Sequence, residues 1–258
     1  MSQTASHAVG SESAATHPLK LVGWRAWAEP YPEHADFEAF LRGAQPPIAD
    51  GAKPKAAAVP ARLRRRCTLV SKMVLETSLP LVDQYGVDLT RTNLLFGSRN
   101  SEINILRNLL NDIEGGEALS PTAFGNSVHH TASGYFGLVC KHQGVSRTIS
   151  ANQDTLTCCM LETVDLLRRD PEAWVLMVFA EEMPLPPFDQ MLASPPFPFA
   201  VAMLWRRGGP DDPRFSMPAL GPVTECPSPT LFAFLSWYLS EKRELHQAGS
   251  FGGCSWLR

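Results

Sequence analysis

The stretch 146-SRTISANQDTLTCCMLETVDLLRRDPEAWVLMVFAE-181 carries the pattern on which the fold turns. Residues 146–151 read as a strand, Asn152, Gln153 and Asp154 as a tight polar turn, and residues from about 154 to 169 as a helix. Within that helix Leu156, Met160, Thr163, Val164 and Leu167 fall on one face, as a 3.6-residue period requires. Residues 173–181 then run as an almost unbroken apolar strand. A strand that is apolar on both faces must be covered on both, so continuous apolar strands alternating with helices predict an α/β fold.

Upstream, 19-LKLVGWRAWA-28 reads as a first strand, and 36-DFEAFLRG-43 as a short helix in Pro-, Ala- and Gly-rich surroundings. Leu63, Cys67, Val70, Val74 and Leu75 predict an amphipathic helix over most of 62–86, with Pro80 kinking it or ending its first part. Residues 92–97 (TNLLFG) predict a short buried strand. Residues 99–116 predict a helix with Ser101 as N-cap, a stripe of Ile103, Leu106, Leu109 and Leu110, and a stop at Gly115–Gly116. Downstream, 184–198 is proline-rich loop, 199–206 and about 214–219 are strands, and about 229–243 is a helix. Residues 1–18 are expected to form a disordered polar tail and 246–258 a Gly-rich C-terminal tail, leaving 19–245 as the folded domain.

With 44% hydrophobic and 19% charged residues, the chain has the composition of a globular protein. A net charge of -3 offers no footprint for a polyanion, so nucleic acid is not an expected partner. No apolar run reaches the roughly 18 residues a membrane span needs. The first residues lack the basic head and apolar segment of a secretory signal. Cys67, Cys140, Cys158, Cys159, Cys226 and Cys254 include no C-x-x-C pair, which argues against a zinc site or a disulfide framework. They read as reduced thiols, mostly buried, in a cytoplasmic protein.

Four local features bear on chemistry. His129 and His130, beside Asn126, are candidate general bases or helix-start residues that hydrogen-bond or line an interface. Cys158 and Cys159 lie a turn inside a helix, past the amides that would lower a thiol pKa, and read as core. Arg62, Arg64, Arg65 and Arg66 form either a patch for an acidic partner or a solvated helix start. The turn at 151–155 directs backbone N–H groups as an anion or acyl carbonyl would want, or is capped by Asp154 or Thr155. No phosphate loop, G-x-S-x-G elbow or H-E-x-x-H motif is present.

The order SPTAFGNSVHHTASGYFGLV, then SRTISANQDTL and its helix and strand, resembles the N-terminal half of β-ketoacyl synthases of the thiolase fold. Residues 20–207 resemble more closely the short ketosynthase-like proteins of aryl polyene pigment clusters, through R-R-R, FGSRNSE, LSPTAF, NSVHH and TISA. The resemblance implies a half-thiolase-like domain, a mixed sheet flanked by helices, and a dimer with no cofactor or metal. It places Gln153, between Asn152 and Asp154, where the family carries its nucleophilic cysteine. Glutamine forms no thiolate and carries no acyl group. The family's two later histidine motifs are not matched either: His246, in E-L-H-Q-A, is the only histidine after residue 207. The implied role is that of a chain length factor, a non-catalytic partner of a complete ketosynthase in a heterodimer that elongates chains on an acyl carrier protein. By position, Phe124, Val128, His129, Thr131 and Tyr135 would then lie at the interface and the end of the acyl tunnel. The alternatives are a stand-alone acyl hydrolase or decarboxylase using Cys158 or a histidine, or a module that docks acyl carrier protein through the Arg62–Arg66 run.

Overall fold

In β4 (Trp174–Glu181) and β5 (Phe199–Arg207) every residue but those at the strand ends is buried, so side chains of both faces need cover. Alternation sorts them. Val175, Met177, Phe179, Val201, Met203 and Trp205 join one core cluster, and Leu176, Val178, Ala180, Ala200, Ala202 and Leu204 join another. The computed structural model describes residues 15–192, 194–219, 221–222, 230–250 and 253–258.

The remaining strands are β1 (Thr16–Ala28), β2 (Thr92–Gly97), β3 (Ser146–Ile149), β6 (Arg214–Ser216), β7 (Glu244–Gln247) and β8 (Cys254–Leu257). They form one sheet in the order β3-β2-β4-β5-β1-β6-β8-β7. β2 runs parallel to both β3 and β4, and the other pairings are antiparallel. The helices are α1 (His34–Leu41), α2 (Ala61–Arg64), α3 (Leu69–Gln84), α4 (Ile103–Glu114), α5 (Pro121–Asn126), α6 (Thr131–Cys140), α7 (Thr155–Arg169) and α8 (Thr230–Tyr238). α3 and α6 cover one face of the sheet, over the small residues Ala180, Ala200 and Ala202. α1, α7 and α8 cover the other, where Phe37, Trp205, Phe232 and Phe234 build an aromatic layer. A mixed α/β fold with helices on both faces is what the sequence predicts.

The element boundaries differ in four instructive places. The helix expected over 62–86 is two helices, because Thr68 takes an extended backbone and its hydroxyl accepts from Ser71 N–H at 2.9 Å, starting α3 afresh. Pro80 neither ends nor divides α3. The N-cap expected of Ser101 falls instead at Glu102; Ser101 sits at φ 46°, and the Asn104 N–H finds its acceptor in Glu182, across the fold, at 2.9 Å. α8 stops at Tyr238 rather than 243, and the Arg258 guanidinium covers its end, 4.8 Å from the Trp237 ring centre and 3.1 Å from the Trp237 carbonyl oxygen.

The largest correction concerns 246–258, expected to be a tail. Its described residues form the end of β7 and all of β8, and Trp256 is 0% exposed. Trp256 lies 6.0 Å from Trp205, 5.0 Å from Phe215 and 4.6 Å from Phe234, centroid to centroid. Burying a large aromatic side chain contributes roughly 1.5–3 kcal/mol, and that anchor outweighs the weak strand signal of a Gly-rich segment. At the other terminus β1 begins at Thr16, inside the expected tail, while residues 1–14 and Cys226 lie outside the described residues.

Candidate functional site

β3 ends at Ile149, and the chain turns through a 3-10 segment, Asn152–Asp154, into α7. Asn152 makes the turn possible by adopting φ 50°, a left-handed conformation that asparagine tolerates better than most residues. Thr155 fixes it: its hydroxyl accepts from Ala151 N–H at 3.0 Å and donates to the Asn152 carbonyl at 2.7 Å. Asp154 does not cap α7. It is 3% exposed, and both carboxylate oxygens accept from the Ser250 N–H, at 3.1 and 3.0 Å. A Cβ at Gly249 would run into that carboxylate, so glycine lets the backbone come close. Nearby, Thr230 Oγ1 donates to the Gln153 carbonyl at 3.3 Å, and Gln247 Nε2 donates to the Thr230 carbonyl at 2.8 Å. The segment expected to be a tail thus braces the turn from behind.

Gln153 itself is exposed, with Asn152 exposed beside it. Its amide faces solvent with donor and acceptor both available. The neighbouring thiols offer no replacement nucleophile. Burial, then Asp154, pushes the Cys158 thiol above its usual range, and burial drives Cys159 far higher. Cys159 is a core residue, as its place in the helix predicts, whereas Cys158 is only partly buried.

The residues placed by position at the interface fall into two groups. Phe124 and Val128 are 64% and 52% exposed, large apolar side chains standing in water on α5 and the turn after it. Thr131 and Tyr135 are buried braces: Thr131 Oγ1 donates to the Asn126 carbonyl at 3.1 Å, and the Tyr135 hydroxyl donates to the Arg66 carbonyl at 2.9 Å. His129 is half-buried, with Nε2 lacking a partner among the described residues; burial, the largest influence, lowers its pKa. His130 is exposed and shares its Nδ1 with Thr148 and Ser133, each at 2.8 Å. Ser133 is 2% exposed, and its hydroxyl also donates to the His130 carbonyl at 3.0 Å, so this pair acts as a brace at the start of α6.

Two features escaped sequence reading. α4 exposes Leu106, Leu110 and Ile113, three apolar residues at i, i+4 and i+7, while Ile103 and Leu109 are buried. Together with Phe124 and Val128 they make the α4–α5 side markedly apolar. The stripe was legible, but which part faced outward was not. The second is a buried carboxylate pair at the start of α4. Thr68 Oγ1 donates to Glu102 at 2.8 Å, and burial with the nearby Glu182 pushes Glu102 up to about 8.

His246 also sits in a constellation that resembles a hydrolytic triad: Nδ1 lies 2.7 Å from Ser255 Oγ, and Nε2 lies 3.4 Å from Glu244. Ser255 is 0% exposed, so no substrate reaches it. No group of three or more metal-ligating side chains occurs among the described residues, and no described helix is long and apolar enough to cross a membrane.

Residues 40–256 match the family model described as the N-terminal domain of β-ketoacyl synthases. No curated protein matches the sequence. Among solved structures, the chain is similar to one from a ketosynthase in complex with its chain length factor from Xenorhabdus doucetiae. The TM-score is 0.75 at 24% identity, over 93% of this chain and 99% of that one. It is similar to the ishigamide ketosynthase/chain length factor, at a TM-score of 0.61 and 16% identity over 78% of this chain and 66% of that one. It is similar also to a type II polyketide synthase assembly of acyl-carrier protein and ketosynthase, at a TM-score of 0.55 and 12% identity over 75% and 63%.

Proposed function

This chain belongs to the β-ketoacyl synthase N-terminal domain family, and we propose that within it the chain is a non-catalytic, chain-length-factor-like partner of a complete ketosynthase. The observation that carries this reading is Gln153, exposed at the strand-to-helix turn where the family resemblance places the nucleophilic cysteine. The turn is intact in backbone and braced from behind, yet it offers an amide instead of a thiolate. The thiols closest in sequence are held protonated by burial. A turn of this shape without a nucleophile suits a role carried out through contact with another protein.

The apolar side around α4 and α5 supplies the contact. Leu106, Leu110, Ile113, Phe124 and Val128 together expose more large apolar surface than scattered single residues would. Docked on a ketosynthase, Phe124 and Val128 would reach the partner's acyl tunnel, and side-chain bulk there would set how many carbons fit. Each misfit methylene costs roughly 1–3 kcal/mol. The match over nearly the whole of a chain from a ketosynthase–chain length factor complex supports the same reading. The acyl chains in question are polyene or fatty-acyl chains on an acyl carrier protein, elongated in the cytoplasm. Arg62, Arg65 and Arg66 are exposed and unpaired by any carboxylate among the described residues, a basic surface suited to an acidic carrier.

The test is co-expression with a complete ketosynthase from the same organism. Co-elution, condensation by the pair, and none by the lone chain are expected. Condensation by the lone chain, or a pair that never co-elutes, would sink the proposal. Substituting Phe124 by alanine should lengthen the product if the tunnel reading holds.

A further inference from the structure

α7 ends in the doublet Arg168–Arg169, and β5 ends in the doublet Arg206–Arg207. In each doublet one arginine is neutralised locally. Arg169 pairs with Asp165 at 2.8 Å, and Arg206 pairs with Glu172 at 3.1 Å while lying 4.8 Å from the Trp174 ring centre. The other two, Arg168 and Arg207, have no hydrogen bond or ion pair among the described residues, and both line one cavity of about 410 Å³. Its remaining lining comes from the start of β1 (Thr16, His17, Pro18 and Leu19) and from Val164 and Leu167 of α7. The floor is therefore apolar, with Leu19, Val164 and Leu167 all buried, and the rim is cationic. None of the lining residues is acidic. Asp212, on the turn after β5, has its carboxylate engaged by the Gly209 N–H at 2.8 Å.

Arg168 and Arg207 reach this cavity from different elements, and because its lining holds no carboxylate, an anion bound there would have two arginines to pair with. Arginine's planar fork matches phosphate oxygens bidentately. The volume falls within the range of small-molecule sites. We propose that this cleft binds a phosphate-bearing small molecule, its phosphate between Arg168 and Arg207 and its apolar part on Leu19, Val164 and Leu167. Burial and the Arg168 charge hold the His17 pKa below its usual value, so at neutral pH the ring adds a hydrogen-bonding edge without a charge. The cleft lies at the far end of α7 from the Gln153 turn, about 20 Å away at 1.5 Å per residue. It is separate from the proposed partner surface and does not depend on that assignment.

The full chain would be titrated by calorimetry with inorganic phosphate and with phenyl phosphate at fixed ionic strength. One saturable site is expected, tighter for phenyl phosphate because its ring covers the apolar floor. R168A and R207A are each expected to weaken phenyl phosphate binding about tenfold or more, as loss of a charge-assisted hydrogen bond implies. R169A and R206A, whose arginines are already paired, are expected to change it less than about twofold. Absence of saturable binding overturns the proposal. So does equal weakening by all four substitutions, which would mean attraction to diffuse surface charge only.

Discussion

The β7–β8 edge of the sheet and the α4–α5 side of the molecule are finished differently. At the β7–β8 edge the chain closes its own core: Trp256 is fully buried against Trp205 and Phe234, and Arg258 covers the end of α8. On α4, which bonds to the segment after β4, and on neighbouring α5 and the turn after it, Leu106, Leu110, Ile113, Phe124 and Val128 stand in water. One region spends its aromatic residues on internal closure. The other holds apolar side chains out, which suits a surface that another protein will cover. The Gln153 turn lies between these regions, joined to the closed one through Asp154 and Thr230.

Trp256→Ala should produce the largest effect. It opens a cavity in the aromatic layer and is expected to cost about 3–5 kcal/mol of stability, read from urea unfolding of the lone chain. A loss below about 1 kcal/mol would mean that the C-terminal segment is peripheral after all.

Glu102 lies at the foot of the open side. Its carboxyl titrates near 8 when folded against a usual 4.5, so the native state holds the extra proton between those values. Stability contributed by the protonated form is therefore present at low pH and lost as pH rises through that window. Glu102→Gln cannot ionise. It is expected to flatten the pH profile of unfolding and to be more stable than the parent at pH 9, by roughly 1–3 kcal/mol. An unchanged profile would show that Glu102 is not the group responsible.

Substitution on the open side should separate association from folding. Phe124→Asp is expected to weaken binding to the proposed ketosynthase partner about tenfold or more, measured by size-exclusion or calorimetric titration, since a large exposed apolar anchor is lost and a charge is buried. Its melting temperature alone should barely move, because surface substitutions usually fall within about 0.5 kcal/mol. If the lone chain is destabilised as much as the complex, the residue belongs to the fold rather than to an interface.

The smallest effect belongs to Gln153→Ala. The side chain is exposed, so stability should change by less than about 0.5 kcal/mol. Activity of the proposed pair with a ketosynthase is the sensitive readout: a change in product length or rate there, with stability constant, would tie the amide to that reaction.

Much of this was legible in the residues themselves. The spacing of Leu156, Met160, Thr163, Val164 and Leu167 set one buried face of α7, and all five are buried. The unbroken run 174–181 required cover on both sides and received it. These readings succeed because periodicity reflects local geometry, which each residue carries with it. The absence of a thiolate at the turn follows from the identities of Asn152, Gln153 and Asp154 alone.

Tertiary structure decided what no local pattern encodes. Asp154 looked like a helix cap and instead holds Ser250 N–H, because the C-terminal loop arrives from nearly a hundred residues away. Ser101 lost its capping role when Glu182 supplied the acceptor for Asn104. A Gly-rich tail became strands because Trp256 met Trp205 and Phe234. The exposed half of the α4 stripe, and the placing of Arg168 and Arg207 in one cavity lining, likewise appear only when distant elements are brought together. The amino acids state which groups are available, and long-range packing selects the partners that satisfy or expose them.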